Sequence, residues 1–307
     1  AAAGFDAVKL QTYSADSLTI NTSHPSAKID SIWGSQCLYD LYSKAAMPME
    51  FHRPLFDRIE EHGMVPFTTL YDPTDLDFVE NLGNCIYKVA SFEINHHPLL
   101  KAIAQTKKPV ILSTGTSALS EVEEAIEILE TANSGPVLLL HCCSAYPTPP
   151  EAANLRAIST LKTAFGLPVG FSDHTIGSHI PLAAIMLGAC AIEKHITNDP
   201  NRDGPDHRFS ASPEQTKIIV SSIRDAEKAL GDGRKRTQAI EENNKSAGRR
   251  SIFITKNVGM GELLSENNLR VIRPNAGLHP RHWDEVIGRK ARHPLKAGEP
   301  LVSGDFE

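Results

Sequence analysis

Nowhere in the 307 residues is there an apolar run approaching the roughly 18 positions that a membrane-spanning helix needs. Ala1 to Val8 lacks the basic start and long apolar stretch of a secretory signal. A membrane anchor and export are therefore not expected, and the cytoplasm is the expected location. Cysteine is scarce: five residues, an odd number, read as buried thiols rather than as a disulfide frame, and Cys142 and Cys143 sit side by side in an apolar run as core thiols. No Gly-x-Gly-x-x-Gly, phosphate-binding P-loop or Cys-x-x-Cys pattern occurs, so dinucleotide, nucleoside triphosphate and zinc-ribbon readings lose their support. Low-complexity tracts are also missing.

What is present belongs to an ordinary globular protein: 41% hydrophobic and 22% charged residues, with 20 glycines and 20 prolines. The length favours one large domain and one small one. A net charge of −6 argues against nucleic acid as a partner. The charge is unevenly spread, since from Gly248 onward ten Lys/Arg face seven Asp/Glu, a net +3 that leaves −9 for the rest. A basic small domain of this kind can lend cations to an anionic substrate or simply form a solvated surface.

Short β-rich runs recur at Asp6–Leu10, Val65–Thr69, Ile86–Ala90, Pro109–Ser113, Val137–His141, Val169–Phe171 and Cys190–Glu193. Amphipathic stretches alternate with them: Pro54–His62, Thr74–Leu82, Pro98–Gln105, Leu119–Thr131, Asn154–Phe165 and His179–Leu187. Strict alternation predicts a parallel sheet, and seven buried strands with polar carboxyl ends suit a (β/α)₈ TIM barrel lacking its first strand. Ala1–Gly4 reads as the end of a helix with Gly4 as its cap, so an N-terminal truncation is expected. Thr12–Tyr39 reads as a long loop on the carboxyl side, a lid or substrate wall. The expected division is a barrel over residues 1–232, a charged, Asn-rich linker over 233–247, and a small β-rich domain over 248–307, with strands at Arg250–Ile254, Arg270–Ile272 and Gly298–Val302.

Barrel enzymes keep their chemistry at the carboxyl ends of strands. There the sequence places Lys9 and Gln11; Lys88, Ser91 and Glu93; Ser113, Thr114 and Gly115; His141 and Ser144; Ser172, Asp173 and His174; and Glu193 and His195. Two lysines inside strand patterns call for an anion, because a buried ammonium needs a counter-charge. With the hydroxyls of Ser91, Ser113 and Ser144 they would cradle a phosphate and a carboxylate. His174 and His195 end successive strands and could converge on one divalent cation, although such pairs also serve as proton relays or as hydrogen-bonded core groups. Asp206, in a Gly-Pro-Asp turn, is rigidly placed and could be either a cap or a reacting group.

Taken in order, Asp6-Ala7-Val8-Lys9-Leu10-Gln11, Tyr87-Lys88-Val89-Ala90-Ser91-Phe92-Glu93, Ser113-Thr114-Gly115, Ser144-Ala145-Tyr146-Pro147, Ser172-Asp173-His174-Thr175, Ile192-Glu193-Lys194-His195 and Gly204-Pro205-Asp206-His207 resemble the N-acetylneuraminate synthase family, the nonulosonate synthases. The match is near-continuous from Phe5 to the end. Arg273-Pro274-Asn275-Ala276-Gly277-Leu278 and Gly288-Arg289-Lys290 resemble that family's antifreeze-like SAF domain. Leu38–Tyr42, Pro48–His52 and Ala90–Glu93 look closest to the pseudaminic acid branch, while Met47 and Met49 depart from the usual Thr and Trp of that stretch.

The resemblance implies an enzyme that condenses phosphoenolpyruvate with an open-chain N-acetylated amino sugar. Lys9, Lys88, Ser91, Ser113, Ser144 and Ser172 match positions holding phosphoenolpyruvate. His174 and His195 match ligands of a divalent metal, Mn²⁺ or Mg²⁺, and Tyr146, Asp206 and Arg273 match positions facing the sugar. Glu93 matches a carboxylate of the site, so the expected catalytic group is Lys88, Glu93, Tyr146 and Asp206. The SAF domain implies a domain-swapped homodimer in which Arg273 reaches the partner's site, and the strand expected to be missing carries a glutamate of the sugar site in the family. The competing readings are an N-acetylneuraminate or legionaminate synthase, another phosphoenolpyruvate-condensing barrel without the tail domain, and a noncatalytic carbohydrate-binding relative.

Overall fold

The computed structural model describes residues 1–31 and 34–307, which divide into two compact units, residues 1–231 and 232–307. In the first, β1 (Ala7–Thr12) is followed by α1 (Ala15–Leu18), a hairpin of β2 (Lys28–Ser31) and β3 (Gly34–Cys37), α2 (Leu38–Ala45) and α3 (His52–Glu61). Strand and helix then alternate: β4 (Val65–Leu70), α4 (Leu76–Asn81), β5 (Tyr87–Val89), α5 (His97–Gln105), β6 (Val110–Ser113), α6 (Leu119–Thr131), β7 (Val137–Cys142), α7 (Ala157–Phe165), β8 (Val169–Asp173), α8 (His179–Met186), β9 (Ile192–Lys194) and α9 (Pro213–Leu230).

Among the described residues seven strands form one parallel sheet in the order β1-β4-β5-β6-β7-β8-β9, the curled wall of a TIM-type barrel. The inner strands β4 to β8 are mostly buried on both faces, so apolar residues run through them without strict alternation, while β1 and β9 at the two edges are half-buried. The longer helices each bury one apolar stripe. In α6 the stripe is Val122, Ala125, Ile126 and Leu129, and Glu121 closes the first turn by accepting from the Ala118 N–H at 2.7 Å. α9 opens on a reciprocal Ser212/Gln215 cap with Pro213 in its first turn, and α7 stops at Gly166, whose φ of +67° a side chain would resist. No helix of the described residues is long and apolar enough to cross a membrane.

The Thr12–Tyr39 stretch is not the plain loop expected from its composition. It holds α1, nucleated by Ser14 and Ser17 exchanging side-chain to backbone bonds of 2.9 and 3.1 Å, and the β2–β3 hairpin. Local capping thus organises a polar segment that has no apolar periodicity to announce it.

In the second unit α10 (Glu242–Gly248) lies within the stretch read as linker. It precedes an antiparallel pair, β10 (Ser251–Ile254) and β11 (Leu269–Ile272), and a single turn, α11 (Trp283–Val286). Ile252, Ile254, Leu264, Leu269, Val286 and Leu301 form its core. The expected third strand at Gly298–Val302 is reduced to an isolated bridge between Phe253 and Pro300, because Gly298 turns at φ +93° and proline has no N–H to extend a ladder.

Candidate active site

A cavity of about 400 Å³ opens at the carboxyl ends of the strands. Lys9, Lys88, Ser91, Glu93, Ser113, Tyr146, Ser172, His174, His195 and Asp206 all line it, so residues spread over nearly two hundred positions converge as the sequence reading expected. Ser144 is not among the lining residues; its Oγ lies 3.7 Å from the Sγ of Cys142, which does line the cavity. Arg273 belongs to the second unit.

Lys88 is 1% exposed, and its ammonium donates to Ser113 Oγ and to the Val89 carbonyl, both at 2.6 Å. Burial pulls its pKa down to about 8, against the opposing pull of Glu193. Lys9 Nζ lies 3.1 Å from Glu193 Oε2, and Ser172 Oγ donates to the other carboxylate oxygen at 3.0 Å. Burial works against the charge on Glu193, yet Lys9 and Lys88 outweigh it and hold the carboxyl down to about 2. Ser91 Oγ accepts from the Gly115 N–H at 3.1 Å. A Cβ on Gly115 would run into Ser144 Oγ and stand 2.7 Å from Ser91 Oγ, so only glycine leaves these hydroxyls in place.

Glu93 is the contrasting carboxylate. Burial raises its pKa to about 7 against the pull of Lys88, and Oε2 is buried with no hydrogen-bond partner. It can exchange a proton near neutrality, which Glu193 cannot.

The two imidazoles stand with ring centres 5.5 Å apart. His174 Nδ1 is 3.0 Å from the Cys143 carbonyl, which can only accept, so Nδ1 carries a hydrogen and Nε2 is the nitrogen left for another partner. Burial works against a charge on this ring, yet the Cys142 thiol beside it raises its pKa. Burial, then Lys9 and His174, push the His195 pKa down to about 3, leaving a neutral ring whose Nδ1 lies 3.5 Å from Asp206 Oδ2. Burial raises Asp206. Among the described residues no three His, Cys, Asp or Glu converge as ligands. Once both rings are deprotonated, their nitrogens would fit a divalent ion whose remaining ligands are substrate oxygens and water.

Glu193, placed beside His195 by the strand-end reading, precedes it by two and shares its face. Other lining groups escape that reading. Tyr13, Tyr42 and Tyr71 pack edge to face around Tyr13, with ring centres 6.1 and 5.2 Å apart, and burial, aided by Asp206 and Tyr42, lifts Tyr13 up to about 12. Leu18, Leu41 and Ala45 of α1 and α2 complete this aromatic and apolar part of the wall. Tyr146 stacks on His174 at 4.4 Å.

A part-closed barrel wall with a cationic, hydroxyl-lined recess and two imidazoles at its strand ends is the arrangement of a barrel enzyme that handles an anionic substrate. Residues 1–235 match the NeuB family and residues 249–307 the SAF domain; the chain belongs to the NeuB family. It is 38% identical over 307 residues to a pseudaminic acid synthase of Campylobacter jejuni, covering 99% of this chain and 89% of that one. It is 37% identical over 300 residues to an N,N'-diacetyllegionaminic acid synthase of the same organism, covering 96% and 90%. The crystal structure of the N-acetylneuraminic acid synthetase of Leptospira borgpetersenii, in complex with citrate, superposes with a TM-score of 0.69 at 34% identity, over 79% of this chain and 80% of that one.

Proposed function

We propose that this chain condenses phosphoenolpyruvate with an open-chain 2,4-diacetamido-trideoxyhexose to give pseudaminic acid and phosphate. The observation that carries the reading is the buried Lys88 ammonium, bonded to Ser113 beside a second lysine, Lys9, in one recess. Such a pair suits a donor bearing both a phosphate and a carboxylate. A divalent ion, Mn²⁺ or Mg²⁺, held by His174 and His195, would supply Lewis-acid polarisation of the sugar aldehyde. Lys9, Lys88, Ser91, Ser113 and Ser172 fix the anionic donor with its C3 toward the aldehyde carbon. Positioning of this kind is worth about 7–11 kcal/mol of barrier.

The C2=C3 electron pair then forms the new C–C bond, and the aldehyde oxygen takes up a proton. Water bonds to the cationic C2 and releases its proton, for which Glu93, with its pKa near 7, is the suited acceptor. The tetrahedral centre collapses to the ketone as the C2–O bond breaks and phosphate leaves with its electron pair. Tyr146 and Asp206 face the sugar. The aromatic and apolar wall of Tyr13, Tyr42, Tyr71, Leu18, Leu41 and Ala45 favours a sugar carrying acetamido methyls and a deoxygenated carbon over a fully hydroxylated one.

Phosphate release from phosphoenolpyruvate with Mn²⁺ or Mg²⁺ tests this, using the pseudaminate precursor, the legionaminate precursor and N-acetylmannosamine in parallel. Release with the first alone supports the proposal, and release with either of the others moves the chain to that branch. Folded protein silent with all three returns it to a noncatalytic carbohydrate-binding role. The homodimer belongs to the same proposal: an inactive Arg273→Ala chain mixed with an inactive His174→Ala/His195→Ala chain should regain activity if copies share sites, and should stay silent if they do not.

A further inference from the structure

Among the described residues the most deeply buried ion pair takes no part in the cavity. Lys194 Nζ lies 2.6 Å from Asp173 Oδ2, with side-chain exposures of 5% and 0%. The two residues face each other in register across β8 and β9, and neither lines the catalytic cavity. Strand alternation explains why: Ser172 and Glu193 point inward, Asp173 and Lys194 outward, and His174 and His195 inward again.

The pair holds the backbone around His174. Asp173 Oδ1 accepts from the Thr175 N–H at 2.8 Å and from the Thr175 hydroxyl at 2.7 Å, while Lys194 Nζ donates to the Thr175 carbonyl at 2.6 Å. His174 is therefore the centre of a tripeptide tied on both sides to the residue that directly precedes His195. The His174 carbonyl accepts from the Thr148 N–H at 2.9 Å, and its ring donates to Cys143. Stability does not account for this arrangement, because a buried ion pair is commonly matched or bettered by apolar side chains of the same volume. Two apolar side chains could not, however, fix the register of Thr175 against β9.

We propose that Asp173 and Lys194 are positioning residues that set the spacing and aim of the His174 and His195 imidazoles. What those imidazoles hold rests on the function proposed above; the clamp itself does not.

The test is the double variant Asp173→Asn/Lys194→Met in the full chain. Asn keeps an acceptor for Thr175, Met matches the lysine in length, and no buried charge is left unpaired. In metal-free protein at mildly alkaline pH, long-range ¹⁵N correlation spectra should place His174 in the Nδ1–H tautomer for the wild type. The variant should give mixed tautomers, with the His195 resonances displaced. Mn²⁺ titration followed by electron paramagnetic resonance should give a Kd raised about 10–100-fold, with the KM for phosphoenolpyruvate changed less than about twofold.

Lys194→Arg keeps the pair's charge, and hence the fold, but alters its reach, and it should move the same resonances by a smaller amount. Wild-type imidazole spectra in both variants would overturn the proposal. If the wild type binds no Mn²⁺, the metal reading fails, while the imidazole spectra still decide the role of the clamp.

Discussion

Lys9, on the first strand of the sheet, and Glu193, on the last, are joined by a 3.1 Å ion pair, although no backbone pairing links β1 to β9 among the described residues. Glu193 is the counter-charge of both lysines of the recess in the free protein. Glu193→Gln should leave two half-neutralised ammoniums facing each other and lower Tm by ~5–10 °C, as breaking a largely buried pair does. Phosphoenolpyruvate brings its own negative charge to the same lysines. The rise in Tm on adding it should therefore be larger in Glu193→Gln than in the wild type, and thermal shift with and without phosphoenolpyruvate checks this. Equal shifts would mean that the donor does not sit on these lysines.

Lys88 offers a second handle. Its ammonium is the form that binds an anion, and with a pKa of about 8 it is lost on the alkaline side of neutrality. The KM for phosphoenolpyruvate should rise above about pH 8 in the wild type. In Lys88→Met it should be raised by about 100-fold at pH 7, in line with loss of a buried charge-assisted contact, and the alkaline inflection should vanish. A pH series of KM values for the two proteins measures both.

How much of this was legible beforehand follows the strength of each local signal. Leu119–Thr131 begins and ends where its periodicity says, and the bounds of the seven strands fall within two residues of those expected. Strand-end logic brought Lys9, Lys88, Ser113, Ser172, His174 and His195 into one cavity. It missed Tyr13 and Tyr71, which directly follow β1 and β4 but read as aromatic core, and Tyr42, which lies on α2 outside the strand-helix alternation. It also brought Ser144 next to the cavity, with its Oγ 3.7 Å from the Cys142 thiol that lines the wall.

Glu93 carries a stability prediction with a definite sign. Its folded pKa of about 7 lies above the unfolded value, so the native state holds the proton longer. The contribution is present in full below about pH 4 and is lost as pH rises through 7. Glu93→Gln, always neutral, should match the wild type at pH 4 and exceed it at pH 8 by up to about 3 kcal/mol, the free energy carried by a displacement from 4.5 to about 7. Denaturant melts at the two pH values test the difference. The same variant should lower kcat by roughly 100-fold if the carboxylate accepts a proton in the reaction. Stabilisation at pH 8 without loss of kcat would leave Glu93 a strained but unreactive group.

Gly115 separates fold from function most sharply. Its φ is not in the left-handed region, so alanine there meets no backbone penalty. The obstacle is the close approach of Ser144 and Ser91, whose hydroxyls can rotate away from an added methyl. Gly115→Ala should therefore fold, with Tm within about 3 °C of the wild type. The rotated Ser91 hydroxyl no longer points into the recess, and the N–H of residue 115 loses its bond to Ser91. Loss of the Ser91 hydroxyl contact to an anion, worth ~1.5–3 kcal/mol, should raise the KM for phosphoenolpyruvate by more than 10-fold while leaving the KM for the sugar within twofold. A rise confined to the sugar would place Gly115 at the other half of the cavity and reverse the assignment of the two substrates to its walls.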